Sequence, residues 1–222
     1  MKAFHNDETI KTKYVNRVIA HQKADRLVKR ATGSNNRGCA VACTLDMVYD
    51  HSRYPVELGI PEWLARVEDV LFEGMSLEKS RTWPELFLKA ISVGVDLEPV
   101  RIPFTIKILQ RNLRSLDACV FDKERNPDAV KVIEQSKAAV MQMIEAFTNL
   151  NDDLEAVRSA AESAWSATRS ARSVAESAAE SAARSAARSA ARSAESAAES
   201  AARSAAYDDM AGELLVILRE TK

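Results

Sequence analysis

The stretch AESAAESAARSAARSAARSAESAAESAARSAA, residues 175–206, decides the fold class of this chain. It is the most regular part of a 53-residue block, residues 154–206, that holds 22 Ala, 13 Ser, 7 Arg and 6 Glu. Alanine has the highest helix propensity, and arginine and glutamate rank close to it. The 84 residues between Pro127 and Gly212 contain neither glycine nor proline, the two strongest helix breakers. We therefore predict a long helix here, with one turn or kink at Asn149–Asp153.

The rest of the chain also favours helices, and the predicted fold is all-α. Apolar residues recur at helical spacing, and glycines and prolines mark the ends of the segments. The one β-like stretch, around 93–102, is too short to build a sheet. The predicted helices run from about Asp7 to Arg30, Cys39 to Tyr49, Pro61 to Phe72, Glu85 to Ile91, Phe104 to Leu116, and onward from Pro127.

Composition divides the chain into three predicted parts. Residues 1–153 form a compact helical domain, because they contain enough large apolar side chains for one core. Residues 154–206 form the repeat helix, which is too poor in large apolar residues to bury anything alone. Residues 207–222 restore an amphipathic pattern, which indicates a docking segment.

The repeat helix predicts a homo-oligomer. Fifty-three helical residues rise about 80 Å, further than a domain of 153 residues extends. Its Ala and Ser faces permit close pairing with a second copy. An antiparallel pair centred between Ala191 and Arg192 would set opposite charges against each other, at Glu180 and Arg203, Arg184 and Glu199, and Arg188 and Glu195. The alternatives are a helix packed on its own domain and a disordered tail.

Charge and hydropathy exclude several classes of protein. Residues 1–153 carry 22 Lys and Arg against 22 Asp and Glu, so no specific nucleic-acid binding is expected. Residues 2–38 hold nine basic and three acidic residues, which suits a small anionic ligand or an acidic partner better than a long nucleic acid. A solvated basic helix is the equal alternative. Neither a membrane span nor a secretory signal is expected. With no secretory signal, the three cysteines indicate a reducing cytoplasm without a disulfide framework.

The first candidate site lies on the first helix. Arg17, His21 and Asp25 fall on about the same 80° arc as Tyr14 and the apolar residues, where side chains are expected to be buried. Buried charges need partners or a pocket. The two hypotheses are a ligand pocket and an internal Arg–Asp ion pair beside a hydrogen-bonded histidine.

The second candidate site is the loop Asn36-Arg37-Gly38-Cys39, which leads into a helix. A helix N-terminus offers free backbone N–H groups to an anion, although an ordinary loop has the same composition. Cys39 could also act as a nucleophile with a histidine base, or bind a metal together with Cys43, His51 and His21. Buried structural cysteines are the default, so neither catalytic residues nor a metal or other cofactor is expected.

Four features together resemble helical proteins encoded by phages and prophages. They are Gly38-Cys39-Ala40-Val41, the segment 57–73, the Trp83–Ile91 helix followed by Gly94 and Asp96, and the Ser-Ala-Ala repeat. The resemblance covers most of the chain and brings no catalytic activity with it. It implies an accessory protein that counters a host defence, either by capturing a nucleotide signal or by blocking a host defence protein.

The expected function is therefore that of a non-enzymatic, oligomeric phage protein that sequesters a phosphate-bearing nucleotide. Its predicted ligand residues are Tyr14, Arg17, His21, Asp25, Asn36, Arg37, Gly38 and Cys39. Arginine suits phosphate because it donates two parallel hydrogen bonds. The alternatives are an inhibitor or scaffold that binds a protein, and a Cys/His hydrolase.

Overall fold

The computed structural model describes residues 1–118, 127–148 and 190–221, and over these ranges the chain is all-α, as predicted, with no strand. No described helix combines the length and the apolar character needed to cross a membrane. The helices are α1 Glu8–Lys23, α2 Ala40–Thr44, α3 Arg53–Leu58, α4 Glu62–Gly74, α5 Leu77–Ser80, α6 Trp83–Ala90, α7 Arg101–Asp117, α8 Pro127–Thr148 and α9 Ala190–Glu220.

Helix α1 begins as predicted but ends before Asp25, so Asp25 does not share a helix face with Arg17 and His21. The side chain of Asp7 accepts a hydrogen bond of 2.7 Å from the backbone N–H of Thr9, which is the expected N-cap. The helix stops at Lys23, and Asp25 takes the left-handed conformation with φ of 53°. The prediction of a helix to Arg30 is therefore wrong.

Helix α2 is also shorter than predicted, with five residues in place of a run to Tyr49. The N–H of Met47 donates to the carbonyl of Ala42 at 2.6 Å, and Met47 itself has φ of 69°. This wider, left-handed turn ends the helix. Because an anion site at a helix start depends on several aligned peptides, the predicted site before Ala40 loses most of its basis.

The core lies where α4 and α6 meet the N-terminal helices. Helix α1 packs on α2 and α6, and α4 packs on α2, α3 and α6. The largest fully buried side chains are Trp83, Tyr54, Phe4, Phe72 and Phe87. The indole N–H of Trp83 donates to the carbonyl of Glu68 at 3.1 Å, so its polar atom is also satisfied inside this core.

The chain forms two compact units, and the C-terminal part of α9 belongs to the first, Met1–Phe104 with Ala197–Lys222. In that unit α9 buries Ala211, Leu214 and Leu218. Asp208 accepts a hydrogen bond of 3.0 Å from the N–H of Ser76. This helix end is therefore held by both apolar and polar contacts.

One glycine permits the closest of these contacts. The ring of Tyr207 lies directly on Gly74, the last residue of α4, and a Cβ atom there would overlap Cγ, Cδ1 and Cδ2 of the ring. Position 74 therefore requires glycine, because the Tyr207 ring of α9 occupies the space that a Cβ atom would take.

The second unit is Thr105–Ser196. Within it, Lys137 of α8 forms an ion pair of 3.0 Å with Asp117 of α7, and Leu109 and Val140 are buried. The predicted turn at Asn149–Asp153, the predicted boundary at residue 153 and the repeat before Ala190 lie outside the described residues. Residues 190–206 of the repeat are helical, in agreement with the prediction.

Candidate functional site

Arg17 and His21 both contact neighbouring groups of the same unit. The Arg17 Nη1 donates to the carbonyl of Thr44 at 3.0 Å, at the end of α2, and the guanidinium lies 4.9 Å from the centre of the Tyr14 ring. The Tyr14 hydroxyl donates to Glu57, and burial together with this hydrogen bond raises the pKa of Tyr14 to about 12. These contacts connect α1 to α2 and α3.

His21 is buried beside the exposed Asp46, with 3.7 Å between its Nε2 and the carboxylate. Burial lowers the pKa of His21, which therefore favours the neutral ring. Asp25 is exposed and outside the helix, and the ion pairs found in residues 1–118 do not include one between it and Arg17. Neither the predicted internal pair nor a shared face for all three residues is present there.

The second predicted site separates into exposed and buried parts. Arg37 is exposed, and Asn36, with its amide turned to suit its neighbours, accepts from the Arg26 guanidinium at 3.1 Å. Gly38 is buried and exchanges backbone hydrogen bonds with Arg26 and Val28, each of 2.9 Å. Of the predicted ligand residues, Cys39 alone lines the cavity described next.

A cavity of about 530 Å³ lies beside Cys39 in the first unit. Its lining comes from the loop before α2, the loop after it, α4 and α9. The lining residues are Arg30, Ala31, Thr32, Cys39, Tyr49, Asp69, Val70, Glu73, Gly74, Arg203 and Tyr207.

The acidic side of the cavity centres on Asp69. This residue is 8% exposed, and its Oδ2 accepts from the Tyr49 hydroxyl at 2.7 Å and lies 3.2 Å from Nε2 of His51. Its Oδ1 is buried and has no hydrogen-bond partner among the described residues. The hydrogen bond to Asp69, with burial, raises the pKa of Tyr49 to about 12. Tyr49 therefore stays a neutral donor.

Glu73 lies one helical turn after Asp69, so both carboxylates face the same side of α4. Both of its oxygens accept from the backbone N–H of Arg30, each at 2.9 Å. One ligand atom from each of Cys39, Asp69 and Glu73 lies within 4.8 Å of the other two. Burial raises the pKa of Glu73, as expected for acids that share a poorly hydrated space.

The basic side of the cavity comes from Arg30 and Arg203. Arg30 takes the left-handed conformation with φ of 59° within the segment that joins α1 to α2. Arg203 of α9 is 66% exposed and pairs with Glu199 at 2.9 Å within the same helix. Basic and acidic residues thus line the same cavity.

The environment of Cys39 opposes nucleophilic chemistry. The thiol is 2% exposed, and burial raises its pKa well above the usual range, with the Asp69 carboxylate adding to the effect. A cysteine hydrolase needs the opposite, a thiolate stabilised by a neighbouring positive charge. Among the described residues, the cluster that could hold a metal contains Cys39 but neither Cys43 nor a histidine. The Cys43 thiol donates to the carbonyl of Gly38 at 3.4 Å.

The sequence of α4 contains a signal for the acidic side of the cavity. Glu68 and Asp69 share the buried arc of α4 with Leu64, Leu71 and Phe72, where an amphipathic helix normally places apolar residues. Glu68 is fully buried, its Oε2 accepts from the Tyr54 hydroxyl at 2.6 Å, and burial raises its pKa to about 8. Two acids on a buried arc therefore mark this helix as unusual.

Comparison with protein-family models, with curated proteins and with solved structures finds no match to this chain. The resemblance to phage-encoded helical proteins therefore stays a prediction from the sequence, and the site is interpreted from its own geometry.

Proposed function

We propose that this protein is a non-enzymatic binding protein that captures a small phosphate-bearing nucleotide in the cavity beside Cys39. The observation that carries the proposal is that two arginines, Arg30 and Arg203, line the same cavity as two acidic residues, Asp69 and Glu73. The ligand is the phosphate-bearing molecule expected from the basic N-terminal region. Its proposed site is this cavity, to which Cys39 is the one contributor among the ligand residues predicted from the sequence.

The size of the cavity supports a ligand of nucleotide dimensions. Pockets that enclose small organic ligands have volumes of about 300–1,000 Å³, and this one is about 530 Å³. A free phosphate ion would fill only a small part of it, and Asp69 and Glu73 would repel that ion.

The two charge types suit the two polar parts of a nucleotide. Arg30 and Arg203 can donate paired hydrogen bonds to phosphate oxygens. Carboxylates accept from the hydroxyl groups of ribose, as acidic residues do in dinucleotide-binding proteins. The ligand would therefore direct its phosphate towards the arginines and its sugar towards Asp69 and Glu73.

Aromatic rings complete the lining. Tyr49 and Tyr207 are both among the cavity residues, and a nucleobase stacks on aromatic side chains at about 1–3 kcal/mol per base. Capture without reaction fits the protonated thiol of Cys39, which is a poor nucleophile.

In the setting that the phage resemblance predicts, the captured nucleotide would be a signal of host defence, and the repeat helix would join several copies of the protein. Both remain parts of the proposal. An inhibitor acting on a host defence protein is the competing function.

The test is a capture assay with purified full-length protein and a panel of cyclic and ADP-ribose-type nucleotides in the presence of EDTA. Bound and free nucleotide are separated by filtration, and the protein is then denatured by heat to release its ligand. Recovery of an intact nucleotide supports capture. A chemically altered nucleotide would show an enzyme, and no depletion of any member of the panel would refute the proposal.

A matched pair of arginine variants localises the site. Arg30→Gln removes a guanidinium from the cavity, whereas Arg37→Gln removes an exposed one from the same loop that does not line it. A charged hydrogen bond contributes about 1.5–3 kcal/mol, so Arg30→Gln should weaken capture by about 10- to 100-fold. Loss of capture in Arg37→Gln alone would place the ligand at the loop predicted from the sequence.

A further inference from the structure

We propose that Cys39, Asp69 and Glu73 form a binding site for a single divalent cation of the zinc class. One sulfur and two carboxylate oxygens approach one another within 4.8 Å at the wall of a cavity. The inference does not rest on the proposed nucleotide function, since it concerns the ion alone.

The spacing of the three ligand atoms is close to that of a tetrahedral zinc site. Zn–S bonds of about 2.3 Å and Zn–O bonds of about 2.0–2.2 Å place neighbouring ligand atoms about 3.4–3.6 Å apart. A contraction of about 1 Å from the limit of 4.8 Å would therefore complete the geometry. Small changes of side-chain rotamer supply such a shift.

An independent observation points to a missing positive partner. Asp69 is 8% exposed, and its hydrogen bonds with Tyr49 and His51 are both made by Oδ2. Its Oδ1 is buried with no hydrogen-bond partner among the described residues. A buried carboxylate oxygen without a partner is energetically unfavourable, and a bound cation would satisfy it.

The donor set selects the kind of ion. A thiolate with carboxylates suits borderline ions such as Zn²⁺, while Mg²⁺ and Ca²⁺ prefer oxygen ligands alone. Upon binding, the Cys39 thiol releases its proton to solvent and the sulfur forms the metal bond. Three protein ligands leave the fourth tetrahedral position open towards the cavity, as in catalytic zinc sites.

His51 belongs to the surroundings of this site. Its Nε2 lies 3.2 Å from Asp69 Oδ2, and Tyr49 donates to the same oxygen at 2.7 Å. Such contacts hold a ligating carboxylate in orientation. They leave Asp69 Oδ1 for the ion.

The site also bears on the anion that the cavity is proposed to capture. A divalent cation would balance the negative charge of Asp69 and Glu73. Ion binding and nucleotide capture are measured separately, because the capture assay contains EDTA and the metal titration contains no nucleotide.

The experiment is a titration of the metal-free full-length protein with ZnCl₂ by calorimetry and with CoCl₂ by absorption spectroscopy. We expect one ion per chain and a thiolate-to-cobalt charge-transfer band in the near ultraviolet. Cys39→Ser should abolish that band, and Asp69→Asn and Glu73→Gln should each weaken binding by about 10- to 100-fold or more. Cys43→Ser is the matched control, since Cys43 is equally buried and donates to the carbonyl of Gly38.

Three results would overturn the proposal. They are the absence of stoichiometric Zn²⁺ binding, cobalt binding without the charge-transfer band, and equal loss of the band in Cys39→Ser and Cys43→Ser. Circular dichroism is recorded for each variant. If Cys39→Ser fails to fold, the wild-type band and the Asp69→Asn titration decide the question.

Discussion

The contact between Gly74 and Tyr207 yields a specific prediction about the C-terminal anchor. In Gly74→Ala the new Cβ would lie well inside the 3.0 Å below which such atoms essentially never approach another heavy atom. Non-bonded carbon atoms pack at about 3.5–4.0 Å, so the Tyr207 ring must retreat by about 1 Å or more. The ring cannot move alone, because Asp208 and Leu214 hold the same helix.

The expected loss of stability follows from three contributions. Overpacking of a closely fitted contact costs about 1–3 kcal/mol. Distortion of the hydrogen bond from Ser76 to Asp208 adds up to about 1 kcal/mol. Replacement of glycine by alanine within a helix gains at most about 1 kcal/mol, and less at the last residue of α4. The net effect is a decrease of about 1–3 kcal/mol in the free energy of unfolding.

Gly212 supplies a control with the opposite sign. It lies inside α9, and a Cβ built on it meets nothing within 4 Å. Gly212→Ala should therefore stabilise the protein by about 0.5–1 kcal/mol through helix propensity alone. The two substitutions are chemically identical, so their difference isolates the contact with Tyr207.

Urea denaturation followed by tryptophan fluorescence measures both variants, and hydrogen exchange reports the protection of residues 207–218. In a Tyr207→Ala background the penalty of Gly74→Ala should disappear, because the clash is gone. The reasoning is refuted if Gly74→Ala is as stable as the wild type, or if its penalty persists without the Tyr207 ring.

Three further predictions concern separate parts of the chain. Burial lowers the pKa of His21 in the folded state, so the unfolded state binds more protons in acid and the free energy of unfolding falls as the pH drops below about 6.5. His21→Gln should reduce this fall, measured by urea titration at pH 7.5 and pH 5.5. An equal fall in the variant and the wild type would contradict the prediction. Asp7→Ala removes the cap bonded to Thr9 and should lower the free energy of unfolding by about 1 kcal/mol, measured in the same way; an unchanged midpoint would be inconsistent with the cap. Arg188→Glu and Glu195→Arg should each weaken self-association in sedimentation experiments while the double reversal restores it, and without that rescue the antiparallel register is wrong.

Local features of the fold could be predicted because they depend on neighbouring residues. Asp7 as an N-cap and Trp83-Pro84 at the start of α6 follow from short-range rules. The early ends of α1 and α2 could not, because they depend on left-handed residues such as Asp25 and Met47. Neither is glycine, and although aspartate adopts this conformation more often than most residues, most aspartates do not, so the sequence does not mark these two positions as helix ends.

The candidate site was harder to predict because its parts are distant in sequence. Ser76 and Asp208 bring α9 to the end of α4 across 132 residues, and with it Arg203 and Tyr207 reach the cavity. Periodicity indicates that such a helix has an apolar face but not which surface it covers. Cys39 was predicted from its own loop, whereas its acidic neighbours lie on another helix.

The anchored end of α9 fixes the rotational phase of all that precedes it in the same helix. Each residue inserted upstream of Tyr207 turns the preceding side chains by about 100° and moves them by about 1.5 Å. One residue added between Arg203 and Tyr207 would turn Arg203 by about 100° away from the cavity, whereas eleven would restore its direction to within about 20° but move it about 16 Å along the helix. Insertions or deletions in such a repeat therefore preserve the direction of its side chains around the helix axis only when they amount to nearly whole numbers of turns.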